Sequence, residues 1–319
     1  MRNFGLKNLQ VATADNFTTN VGMKIRRLIN KPLRGILKIA AGKKIVVDKY
    51  PDLEKDEQYI FCSTHYFSED IIAALATIDR NAYALIGTTD QIDHNPQMYG
   101  AWLNGMIYVD RLNPESRKES IKKQERVLNN GSSVVLFPEG GWNNTENLLC
   151  LPLFAGPYIL AKNTSKKVVP FATYNDEENN TIYMEYGEPI DLAKYEDKKE
   201  ALAVLRDHMA TMMYSLMEKH GTSIKREELT GDIHQQHMEN RRKEYLRNKK
   251  WTRDVWDEEL TQYQPKDITT AEQVRESLDK VEVTSQNAAI LAPTLIKRLE
   301  DKKYNFKQYM KENWNKKIK

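Results

Sequence analysis

From Gln58 to His220 short runs rich in β-branched and aromatic residues alternate with longer stretches of helical periodicity. No other feature constrains the fold more. A chain that alternates in this way buries strands between helices, which predicts an α/β domain. Strands are expected over 58–63, 81–86, 106–110, 133–137, 168–174 and 181–186. Helices are expected from an N-cap at Ser68 to about residue 78, then over 96–104, 115–129 (closed by Gly131), 153–162 and 198–220. Within the last of these, Leu202, Leu205, Met209, Met212, Met213 and Leu216 share one side, a stripe that reads as core rather than as a cofactor box.

The chain divides into residues 1–48, a domain over 49–220, and a charge-rich extension over 221–319. The formal charge is only +3, but it is unevenly placed. Eight basic residues and no acid lie between Val21 and Lys44. On a helical wheel Val21, Ile25, Leu28, Ile29, Leu33, Ile36 and Ile39 gather on one side and Lys24, Arg27, Lys31, Arg34 and Lys38 on the other, with Arg26 the main exception. Pro32 suits the first turn of a second helix, so two short helices are expected, 20–30 and 32–41, with Gly42 ending the second. A basic amphipathic pair reads as a segment lying on an anionic membrane surface, or as an ordinary surface helix packed on the core.

In the extension a basic stretch from Arg241 to Arg253 is interleaved with Tyr245 and Trp251. It reads as a solvated helical arm, with a second membrane contact or a nucleic-acid patch as rival readings. No nucleic-acid module accompanies it, and no nucleic-acid partner is expected. Cys62 and Cys150 lack the spacing of a disulfide framework or a zinc site, which suits a reducing cytosol. No signal peptide is expected, and the longest uncharged stretch, 147–161, falls short of the ~20 residues that span a bilayer. The expected location is therefore cytoplasmic, peripheral on the inner face of the membrane.

Chemistry is concentrated where strands end. His65 follows the first of these strands, and Asp70 stands five residues on, at a helix start. A neutral imidazole takes a proton from an alcohol when a carboxylate fixes its tautomer and stabilises the imidazolium, although a capping histidine beside a helix-dipole aspartate has the same sequence. Arg111 ends another strand, where a guanidinium grips phosphate or pairs with a surface acid. In Phe137-Pro138-Glu139-Gly140-Gly141 the proline fixes the strand exit and Gly140 lets backbone approach a ligand. Glu139 offers an acceptor for substrate hydroxyls or a partner for Arg111; an ordinary strand-to-loop turn is the plainer reading.

Taken in order, His65 to Asp70, Gly105 to Arg111, Phe137 to Gly140 and Val169-Pro170 resemble the four blocks of the glycerolipid acyltransferases, in particular the PlsC-like 1-acylglycerol-3-phosphate acyltransferases. Tyr108 stands where phenylalanine is usual, and Gly187-Glu188-Pro189-Ile190 looks like the family's trailing block. The resemblance implies a mixed central sheet flanked by helices, and it matches the two-helix N-terminal element. It implies that His65 is the general base, Asp70 its orienting acid, and Arg111, Glu139 and Gly140 the residues binding acceptor phosphate and glycerol. The implied partners are a lysophospholipid acceptor, acyl-CoA or acyl carrier protein as co-substrate, and an anionic membrane surface. No cofactor or metal is implied.

Two departures bear on the acceptor. The third block, usually followed by Thr-Arg-Ser, here reads Gly141-Trp142-Asn143, and Thr88 to Gln91 stand where many members have a lysine. Trp142 and Asn143 become candidate acceptor-side residues, Trp142 offering a flat apolar face to a sugar or chain. With that cation missing, transfer to another alcohol such as a glycolipid or cell-envelope polyol is an alternative. A catalytically silent lipid-binding scaffold is a second.

Overall fold

The structure is a computed structural model that describes residues 20–87, 106–109, 113–143 and 148–221, with a few isolated positions on either side. A helix, α1 (Asn20–Ala40), leads into β1 (Lys44–Lys49). There follow β2 (Ile60–Ser63), α2 (Asp70–Thr77), β3 (Ala82–Gly87), β4 (Met106–Val109), α3 (Pro114–Asn129) and β5 (Ser133–Leu136). Then come α4 (Gly156–Thr164), β6 (Val168–Asp176), β7 (Thr181–Tyr186), a 3-10 turn (Leu192–Lys194) and α5 (Lys198–His220).

The strands form one seven-stranded sheet in the order β1-β7-β6-β2-β5-β3-β4. Every pairing is parallel except β6 with β7. Parallel strands covered on both faces need apolar residues at every position, and β2, β4 and β5 are buried throughout. On one face Phe61, Phe171, Met184 and Tyr186 pack against Ala73 and Ala74 of α2, with Leu37 of α1 at the margin. On the other, Ile60, Cys62, Val134 and Leu136 pack against Leu128 of α3, Leu160 of α4 and Leu205 and Met209 of α5. The methionine stripe of α5 is thus core, although Leu202 is only half-buried.

From β2 onward, the expected elements that fall among the described residues are present with small shifts. The structure adds β1, which the sequence reading leaves out because Lys44, Asp48 and Lys49 break its apolar run; as an edge strand on β7 it buries little of itself. The α2 helix starts later than expected. Its N-cap is Glu69, without a side-chain cap, while the Ser68 hydroxyl bonds Glu69 Oε2 instead. The helix expected over 96–104 lies outside the described residues, as does the basic stretch beyond Arg241, apart from isolated positions.

The expected pair of N-terminal helices is one continuous helix with Pro32 inside it. Proline removes one backbone hydrogen bond and crowds the carbonyl four residues back, a cost that does not break a helix held elsewhere. Here two arginines hold it. Arg26, the misfit on the wheel, is buried: it donates to Asn81 Oδ1 and to the Ala82 carbonyl, both at 2.7 Å, and lies 3.9 Å over the Tyr83 ring. Arg34 donates to the carbonyls of Ala76 and Thr77 at the end of α2.

Consequently α1 has three faces rather than two. Met23, Arg26, Leu33, Arg34 and Leu37 turn inward, and Lys24, Arg27, Lys31 and Lys38 are exposed. The apolar set Ile25, Leu28, Ile29, Ile36 and Ile39 is exposed as well, Leu28 to 81% and Ile39 to 82%. The hydrophobic side of the wheel is therefore not the side that packs on the domain.

Candidate active site

The sheet register brings the functional residues together. In the parallel pair β2 and β5, Cys62 is level with Leu136, so His65 and Glu139 each stand three residues beyond a matched pair at neighbouring strand ends. In open α/β sheets such adjacent carboxyl ends, where the chain order changes, form the ligand crevice. β2 lies between β5 and β6, and its successor β3 lies beyond β5, so the order changes here.

His65 Nδ1 lies 2.7 Å from Asp70 Oδ2, and the Tyr66 N–H also donates to that oxygen at 3.3 Å. With a carboxylate as acceptor Nδ1 carries the hydrogen, which leaves the lone pair on Nε2, the tautomer a base needs. Asp70 is fully buried and the His65 side chain 14% exposed, so the pair is shielded but not sealed. The alternative of a capping histidine beside an unrelated helix-dipole acid does not describe this geometry.

The backbone of His65 is held from both sides by the chain leaving β5. Its N–H donates to Glu139 Oε1 at 2.8 Å, and its carbonyl accepts from the Asn143 N–H at 2.7 Å. Glu139 Oε2 accepts from the Leu151 N–H at 2.6 Å. The Glu139 side chain is fully buried, and both oxygens are engaged by backbone donors, so it braces two loops where a contact with substrate hydroxyls was expected. Burial pushes its carboxyl up to about 8, helped by the Asp70 charge; the two N–H bonds and nearby Arg206 oppose this without cancelling it. Gly140 turns the chain with φ +75°, a conformation that favours glycine.

The aromatic neighbours of the imidazole come from the same loop. The Phe137 ring lies 4.6 Å from that of His65, and the Trp142 ring stands edge-on at 6.1 Å. Asn143 is buried, its side-chain nitrogen donating to the Leu148 carbonyl at 2.7 Å, so it shapes the loop. Arg111, with Gly105 and the Thr88 to Gln91 segment, lies outside the described residues.

Some contributors had no sequence signal. Tyr66 sits inside the first block, yet nothing there announces that its hydroxyl accepts from the Asn175 N–H, joining the dyad loop to β6. Arg206 on α5 donates twice to the Cys150 carbonyl and so supports the loop Glu139 holds; it is far away in sequence. Cys62 and Cys150 are free and buried, and burial pushes both thiols up, so neither is an activated nucleophile. What the site can do is take a proton from a hydroxyl.

Residues 44–174 match the family model described as Acyltransferase. No curated protein matches the chain. Among solved structures, six chains match. One is the crystal structure of the 1-acyl-sn-glycerophosphate (LPA) acyltransferase, PlsC, from Thermotoga maritima, 17% identical, with a TM-score of 0.49 over 63% of this chain and 84% of that one.

Proposed function

We propose, from the match of residues 44–174 to the acyltransferase family, that this protein is an O-acyltransferase moving a fatty acyl group from acyl-CoA or acyl carrier protein to the free hydroxyl of 1-acylglycerol-3-phosphate. The observation that carries the chemistry is the 2.7 Å contact between His65 Nδ1 and Asp70 Oδ2. His65 Nε2 takes the hydroxyl proton as the alcohol oxygen attacks the thioester carbonyl. The tetrahedral intermediate collapses, the C–S bond breaks, and the thiolate leaves with the proton returned by the imidazolium. The products are phosphatidic acid and the free thiol. Arg111 is proposed to bind the acceptor phosphate, and Gly140 to let backbone approach the acceptor.

The partner surface proposed for α1 is an anionic bilayer. Among the described residues no helix is long and apolar enough to cross a membrane. The exposed isoleucines and Leu28 instead form an apolar strip beside a basic one on the same helix. Taking one such side chain fully out of water contributes about 1.5–3 kcal/mol, and each lysine near an anionic surface about 1 kcal/mol. That favours the inner face of a membrane as the place of work.

A second acceptor class is favoured by Trp142, which occupies the loop position where the family's arginine is usual and stands edge-on to His65. A glycolipid or polyol would stack on that ring where a phosphate would want a cation. A panel of acceptors with one labelled thioester separates the readings. Product only with lysophosphatidic acid supports the first, and product only with neutral alcohols the second. Neither product nor thioester hydrolysis would remove both in favour of a silent scaffold.

A further inference from the structure

We infer that Ser63 and Thr173 are positioning residues for the base and its acid, holding Asp70 Oδ1 through a shared buried water. This rests on the reading of His65 and Asp70 given above. Asp70 spends Oδ2 on His65 and on Tyr66, while Oδ1 is buried with no hydrogen-bond partner among the described residues. The hydroxyls of Ser63 and Thr173, both fully buried, are in the same condition. Buried polar atoms are almost always bonded, and an ordered water is the usual means by which a buried acceptor and buried hydroxyls without protein partners are satisfied.

Placement supports a common site. Ser63 stands two residues beyond Phe61 on β2 and is level with Phe171 on β6. Thr173 stands two residues beyond Phe171 and opposite Met184. Phe61, Phe171 and Met184 all lie on the face packed against α2, so side-chain alternation puts both hydroxyls on that face, at the strand ends where α2 begins with Asp70. Tyr66 independently joins the two sides: its N–H reaches Asp70 Oδ2, and its hydroxyl accepts from Asn175, two residues past Thr173. Thr64 Oγ1 is also unpartnered, but alternation turns it to the opposite face.

The water donates to Oδ1 and accepts from the two hydroxyls. Asp70 then cannot rotate its carboxylate away from Nδ1, and part of its charge is neutralised by donors other than the imidazole. Among the described residues the other titratable groups around the pair are Glu139 under the His65 backbone, Arg206 beside Glu139, and Glu69 on the same helix start with Lys43 3.9 Å from it.

The test uses the full chain carrying Ser63→Ala, Thr173→Val, both together, and Thr173→Ser as the conservative control. His65 is titrated by NMR, which needs no substrate, and acyl transfer is followed against pH. Without the hydroxyls the carboxylate faces the imidazolium undiminished and holds its proton longer. The His65 midpoint and the acid limb of the rate profile should therefore rise by up to about one pH unit, with turnover falling roughly tenfold. Thr173→Ser should restore both.

Wild-type titration in the folded Ser63→Ala and Thr173→Val chains would overturn the inference while leaving the acyl-transfer reading intact. Full transfer by His65→Ala would overturn that reading instead. Should either variant fail to fold, a high-resolution crystal structure of the wild type decides. A water within hydrogen-bond distance of the three oxygens upholds the inference, and a dry arrangement ends it.

Discussion

The strand-end site and helix α1 depart from the usual placement of side chains in opposite senses. At the site polar groups are buried: Asp70, Glu139, Ser63 and Thr173 are all shut away from bulk solvent, Asp70 and Glu139 accepting from backbone N–H groups. On α1 apolar groups are exposed, Leu28 and Ile39 most of all, while an arginine goes inside. Each arrangement costs stability that a plain core or a plain surface would not. The first arrangement holds one imidazole still, and the second leaves an apolar strip facing solvent.

The sharpest way to break the comparison is at the imidazole. His65→Ala should lower turnover by about 10²–10⁴ with the fold retained, measured as labelled product per enzyme beside a circular-dichroism melt. Undiminished turnover would mean the buried polar groups serve structure alone. Next comes the exposed strip: Leu28→Ser with Ile39→Ser should weaken binding to anionic vesicles by about 10–100-fold in a flotation assay, with an unchanged melting temperature. A lowered melting temperature instead would show that the strip packs on protein.

Glu139 gives a pH signature in stability. Its folded carboxyl titrates at about 8 against 4.5 for the free side chain. An acid whose folded value is raised contributes stability fully present below 4.5 and lost as pH rises through about 8. Denaturant midpoints should therefore fall across that window by the equivalent of a few kcal/mol, and Glu139→Gln should flatten the fall while itself costing about 1–3 kcal/mol, since an amide nitrogen cannot accept from a backbone N–H. A wild-type profile equal to that of the glutamine variant would refute the buried brace. The smallest effect is at Arg26, where Arg26→Ala should cost about 1–2 kcal/mol of stability by orphaning Asn81 and the Ala82 carbonyl. Vesicle affinity per folded molecule should barely change.

Much of the strand-end site is legible because strand ends carry their chemistry in short local blocks. His65 to Asp70 spans one loop and a helix start, so a five-residue spacing suffices to place the pair. The sheet follows from apolar runs for the same local reason. Glu139 reads as a ligand group and turns out to be a brace, since its partners, the N–H groups of His65 and Leu151, are backbone atoms that carry no letter in the sequence. Arg26 spoils the helical wheel only because the wheel assumes that one apolar side faces the protein. Once α1 is seen to pack through a mixed face, the exception becomes the anchor. Pro32 misleads for a related reason: propensity speaks for an isolated helix, and α1 is fastened by Arg26 and Arg34 on either side of the proline.

The level pairing of Cys62 with Leu136 has a consequence for how relatives of this chain can differ. His65 and Glu139 meet because the two exits count out the same number of positions, like two rulers laid edge to edge. A substitution along either exit leaves that count unchanged. An insertion or deletion in one exit, however, slides its marks past the other's, and only a compensating change in the second would let the histidine find its brace again.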